Sequence, residues 1–173
     1  MSDTIGDLDQ FIGKLAALGG EFATAWQPDT ANTDTSLQDQ VTALVTAYPF
    51  VARDHGYVTF LRRYGGALLT RDDGLLLSLF GFSHDIGMHL VEGPGELIEN
   101  GYLIFGDMII PRAPDYPHDT VALGFGFDAT GQQRRGVYRF IAGGPGTWYC
   151  ETFLDWLRTI ADKAVRPTEL LAP

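Results

Sequence analysis

Hydrophobic residues recur at steps of three and four in the first third of the chain and at steps of two in its middle. Ile5, Leu8, Phe11, Ile12, Leu15 and Leu18 form a stripe that Gly19-Gly20 closes, which predicts a first helix. Thr4 and Asp7 have the spacing of a capping box at its start. Leu37, Val41, Leu44, Val45 and Tyr48 make a second stripe, opened by Ser36 and Asp39 and stopped by Pro49. Between the two, Glu21 to Thr35 is rich in Thr, Asp, Asn and Ala and reads as a loop with a turn near Phe22 and Trp26. The most informative stretch follows. Tyr57, Phe60, Leu61 and Tyr64 share one helical face, Arg62 and Arg63 the other, and Gly65-Gly66 supply the left-handed conformation that ends a helix cheaply. Asp54 is placed to cap this helix, which is expected to dock its aromatic face on the sheet that follows.

After Gly66 the period changes. Ala67 to Thr70 and Leu75 to Phe82 read as strands around Arg71-Asp72-Asp73-Gly74, because an Asp-Gly pair suits a tight hairpin. His84 to Val91 reads as a strand or a single helical turn, and Glu92 to Gly95 as a loop. Asn100-Gly101 predicts a turn before a strand at Tyr102 to Phe105, and prolines make Pro111 to Pro117 irregular. Val121, Leu123, Phe125 and Phe127 alternate with Ala122, Gly124 and Gly126, so one side of that strand has almost no bulk and should receive something large. Asp128 to Gly136 is a polar connection, Val137 to Ile141 the partner strand, and Gly143 to Gly146 a break. A last helix from about Glu151 carries Phe153, Leu157, Ile160, Ala161 and Ala164 on one face; Pro167 ends it, and the tail to Pro173 is expected to fray.

Helices first, strands in the middle and a helix last, joined by hairpin-length connections, predict an α+β fold with a mainly antiparallel twisted sheet. The N-terminal helices and the C-terminal helix pack around that sheet. At 173 residues and 19.0 kDa the chain fits a single domain, with 45% hydrophobic residues to fill its core. The longest apolar run, Leu75 to Phe82, is far shorter than the roughly 20 residues of a membrane-spanning helix. The opening residues are acidic where a secretion signal is basic, and Cys150 is the only cysteine; both place the chain in the cytoplasm. A formal net charge of -10 argues against nucleic acid and anionic membrane as partners and favours a basic protein.

The order of short motifs resembles the SUKH superfamily, the Smi/Knr-type domains. The residues that carry the resemblance are Tyr48-Pro49, Tyr57, Phe60-Leu61, Gly65-Gly66, Leu79-Phe80-Gly81-Phe82, Ile104-Phe105-Gly106-Asp107, Val137-Tyr138, Phe153-Leu154 and Trp156-Leu157. On that division residues 1–47 are a helical N-terminal part, 48–164 the family-like core and 165–173 the tail. Gly-Gly stands where the family more often has Asn-Gly, and Met108-Ile109-Ile110-Pro111 follows Asp107 in place of a second glycine-acid pair. The resemblance implies a non-enzymatic, protein-binding domain without a cofactor. Bacterial members of this kind look like immunity proteins that block a cognate toxin, and fungal members like regulators. An acidic inhibitor suits a toxin with a basic cleft, and Asp72, Asp73, Glu92, Glu96, Glu99, Asp115 and Asp119, all in predicted turns and loops, are the candidate contacts. The competing reading is that they are solvated loop charges.

Three further constellations bear on chemistry. Gly124-Phe125-Gly126-Phe127-Asp128-Ala129 has dinucleotide-loop spacing but leads into Thr130-Gly131, not a helix. His84, Asp85 and His89, with Asp107 and His118 more distant, are the best metal candidates, although a five-residue step separates the two histidines onto different faces. Cys150 precedes the last helix, where a helix dipole lowers a thiol pKa, but no base stands beside it in sequence, and a structural role is the simpler reading. A regulatory or scaffold domain of the same fold and a small metal-dependent hydrolase are therefore the alternatives to an immunity protein.

Overall fold

In a computed structural model that describes residues 3–26, 35–82, 98–113 and 115–173, the middle of the chain forms one sheet and the helices gather on one of its faces. The strands are β1 (Glu21–Thr24), β2 (Ala67–Thr70), β3 (Leu76–Leu79), β4 (Ile98–Glu99), β5 (Tyr102–Pro111), β6 (Thr120–Asp128), β7 (Val137–Ile141) and β8 (Thr147–Cys150). They pair in the order β1-β2-β3-β5-β6-β7-β8, with β4 also on β5, and every pairing is antiparallel. The helices are α1 (Thr4–Ala16), α2 (Thr35–Ala47), α3 (His55–Tyr64) and α4 (Phe153–Lys163). This is the expected α+β architecture. Among the described residues no helix is long and apolar enough to cross a membrane.

The helix with the aromatic face is the centre of the packing. Tyr57, Phe60 and Leu61 of α3 are buried, and the Tyr57 ring lies 5.6 Å from Phe105 of β5, 5.3 Å from Phe127 of β6 and 5.3 Å from Phe153 of α4. Trp156 of α4 adds contacts with Phe105 at 5.0 Å and Phe125 at 5.1 Å. Such tilted and edge-on pairs each add roughly 0.5–1.5 kcal/mol to the burial of their rings, so this cluster ties both helices to the same two strands.

Both ends of α3 follow the sequence reading. Asp54 accepts the Tyr57 amide at 3.0 Å as N-cap, and Gly65, at φ 68°, ends the helix with its N–H bonded to the Leu61 carbonyl. Gly65 has a second constraint that periodicity does not reveal. The Trp26 backbone amide donates to the Tyr64 carbonyl, and a Cβ on Gly65 would sit 2.0 Å from the Trp26 indole.

Several expectations are corrected. Glu21–Thr24, read as loop, is an edge strand on β2; pairing satisfies its backbone, and only Phe22 needs an apolar side. Thr147–Cys150 is likewise a strand, which hides from periodicity because it lies on the opposite edge. The strand starting at Tyr102 runs on to Pro111, with a bulge between Ile104 and Gly106 that keeps Phe105 and Met108 buried together. The Thr4–Asp7 capping box does not form: α1 has Asp3 as N-cap without a side-chain capping bond. The tail does not fray, because Leu170 is buried and the Arg139 guanidinium donates to the Leu170 and Ala172 carbonyls at 2.7 and 2.8 Å. The stretch from His84 to Val91 and the following loop lie outside the described residues.

Candidate functional site

Strand alternation gives the sheet two unlike faces. Toward the helices point Leu77, Leu79, Met108, Leu123 and Phe125, all buried. The other face presents, in register across four strands, Ser78 of β3, Asp107 of β5, Gly124 of β6 and Phe140 of β7. Among the described residues no helix packs on this second face, and Ile109 beside the row is 40% exposed.

The missing bulk on β6 is accounted for here. Over Gly126 leans Ile104, whose Cδ1 would be 3.0 Å from an added Cβ; Gly124 has only Phe140 beside it, at 3.6 Å. The large groups expected on the glycine side thus come from neighbouring strands, and between them remains a cavity of about 400 Å³. It is lined by Phe80, Ile104, Gly124 and Phe140, with Glu99, Asn100 and Asp107 as its polar side chains. Phe140 is held edge-on by Tyr102, ring centres 4.9 Å apart.

Asp107 is the unusual group. Its Oδ1 is buried without a hydrogen-bond partner among the described residues. Burial raises the carboxyl above the ordinary aspartate range, against a hydrogen bond from Ser78 that lowers it. The chain has 12 Lys and Arg in all, but within the strands only Arg139 appears, and it is on the helix side, engaged with Leu170 and Ala172. Among the described residues the strands therefore give the open face carboxylates and aromatic carbon and no Lys or Arg.

The candidate acids divide. Asp72 and Asp73 occupy the β2–β3 turn, next to Pro111, and Asp115 and Asp119 the β5–β6 connection, so four of them gather at one end of the sheet. Asp73 is paired there with Arg71 at 2.6 Å and its Oδ1 accepts the Leu75 amide. Asp115 lines a separate cavity of about 560 Å³ with Tyr116 and Leu171. Glu99 is at the other end of the ten-residue β5, about 30 Å away at the usual rise per residue. An interface of ordinary size, about 800 Å² per partner, is only about that wide, so the two ends cannot both be central to it. Glu92 and Glu96 lie outside the described residues.

Other chemistry is not assembled. His84, Asp85 and His89 lie outside the described residues, and among the described residues no three His, Cys, Asp or Glu converge on a metal-sized site. Gly124 to Phe127 is the interior of β6, with no phosphate-binding turn. The Cys150 thiol does not have the lowered pKa that a helix dipole would give: burial, with the nearby Asp155 charge, pushes it up to about 12, against a smaller lowering from a backbone hydrogen bond at Thr152. In the sequence Asp107 stands out only within its motif and as a distant ligand; what marks it is its row partners, which appear only when the strands are paired. No family model, curated protein or solved structure matches the chain.

Proposed function

We propose that this chain is a protein-binding domain of the Smi/Knr-like type that acts as a bacterial immunity protein, holding a cognate toxin with a basic surface in the cytoplasm. The observation that carries this reading is the open sheet face, apolar and aromatic, with Asp107 and Glu99 as its charges and, among the described strand residues, no Lys or Arg. A formal charge of -10 speeds encounter with a basic partner, while the apolar part of the face supplies area to bury once the two have met.

The test is co-expression with the product of the adjacent toxin gene. The purified chain should rescue growth and form a stoichiometric complex whose association slows as salt is raised. Glu99→Lys should reduce the association rate constant at least tenfold at low salt with little change in thermal stability, because Glu99 is exposed and lines the cavity. Failure to protect cells against any neighbouring toxin would end this reading.

A further inference from the structure

We propose that the cavity on the open sheet face is a socket for one arginine side chain of the protein partner, with Asp107 as counter-ion and Phe140 as stacking wall. This inference rests on the protein-binding reading above and names what that reading leaves open, the chemistry of the central contact.

The geometry follows from the row. Asp107 and Phe140 are in register on either side of Gly124, so two strand spacings, about 10 Å between backbones, separate them. Position 124 has no side chain, and the Phe140 ring leans to 3.7 Å from where a Cβ would be, so ring and carboxylate both border the cavity beside Gly124. That slot suits a planar cation: a guanidinium bonds a carboxylate through its edge and stacks on an aromatic ring through its face. An ammonium is a compact, strongly hydrated charge and gains less from the apolar walls of Phe80 and Ile104. A metal ion is a poor match, since among the described residues no three His, Cys, Asp or Glu converge there. Among the described residues the strands' one Lys or Arg, Arg139, is on the other face, so they supply no guanidinium to the socket. Asp107 thus sets a carboxyl beside the cavity that, among the described residues, has a hydrogen bond from Ser78 and no ion pair.

The experiment is an NMR titration of the full chain with acetyl-Gly-Arg-Gly-amide and, separately, with the same peptide carrying citrulline, which has nearly the same shape and no charge. The arginine peptide should give saturable shifts centred on the Asp107, Gly124 and Phe140 amides, with the citrulline peptide at least tenfold weaker. Asp107→Asn should lose at least tenfold in affinity. Gly124→Leu, where an added Cβ meets nothing closer than 3.6 Å, should close the slot; if it does not fold, Asp107→Asn still decides. Equal binding of the citrulline peptide, undiminished binding by Asp107→Asn, or shifts confined to other acids would overturn the proposal. So would sedimentation showing that the free protein is a dimer that covers this face. The two levels fail separately. A chain that neutralises its toxin equally well as Asp107→Asn refutes the socket and leaves the immunity reading intact, whereas a chain that neutralises nothing refutes the immunity reading whatever the titration shows.

Discussion

The Phe153 amide at the start of α4 donates to Asp54 Oδ2 at 2.8 Å, while Asp54 Oδ1 accepts the Tyr57 amide of α3 at 3.0 Å. One carboxylate therefore caps two helices that are 99 residues apart along this pair, and it fixes how they meet over the sheet. Each cap is worth roughly 0.5–2 kcal/mol, so Asp54→Ala should lower stability by about 2–3 kcal/mol in urea unfolding. Asp54→Asn should lose less, because its amide oxygen keeps one of the two bonds.

The same pair has a pH signature. Burial raises the Asp54 carboxyl above its ordinary pKa, and the Phe153 and Tyr57 amides only partly oppose this. A raised folded-state pKa means that the stabilisation belongs to the protonated form and fades as pH rises through that value. The stability gap between the natural chain and Asp54→Asn should therefore be wider near pH 4 than at pH 7. A gap that narrows in acid would contradict the assigned environment.

Asp9 behaves in the opposite sense. Burial pulls its pKa up, but hydrogen bonds from Arg63 at 2.6 and 2.7 Å and from Tyr64 at 2.5 Å outweigh it and hold the carboxyl below the usual range. Its contribution is complete above the ordinary aspartate pKa and is lost as pH falls through the lowered one. With the Asp9 side chain 37% exposed, Asp9→Asn should cost no more than about 1 kcal/mol at pH 7, and nothing once pH is well below 4. Parallel unfolding curves at the two pH values measure this.

Cys150 should be unreactive while the chain is folded. With its thiol pKa near 12, very little thiolate exists at pH 8, so alkylation by iodoacetamide should be at least tenfold slower in buffer than in urea. Equal rates would restore the thiol as a candidate nucleophile.

Two glycines separate backbone need from chance. Gly65→Ala puts a Cβ into Trp26 at a φ of 68° and should cost at least about 2 kcal/mol. Gly13→Ala, inside α1 with nothing within 4 Å of its new Cβ, should stabilise by about 0.5–1 kcal/mol. Thermal unfolding of the two variants distinguishes them by sign.

Much of the architecture is readable from local pattern because it depends on local chemistry. The α3 face of Tyr57, Phe60, Leu61 and Tyr64, its Asp54 cap and its Gly65 stop all act within a dozen residues, and all appear where spacing places them. The candidate acids were less readable. Asp72 and Glu99 look alike in sequence, each in or beside a turn, but the length of β5 sets them at opposite ends of the sheet.

By itself, then, the sequence determined the helices, the hairpins, the acidic charge and the α+β class, since periodicity, turn chemistry and composition need no knowledge of what lies across the sheet. Only the tertiary structure decided that Glu21–Thr24 and Thr147–Cys150 are edge strands, that Asp54 serves two helices, and that Asp107 faces Phe140 across Gly124. The reason is one of distance along the chain. Register between strands and bonds across many tens of residues are fixed by how the core packs, and no local pattern encodes which distant backbone will arrive beside which side chain.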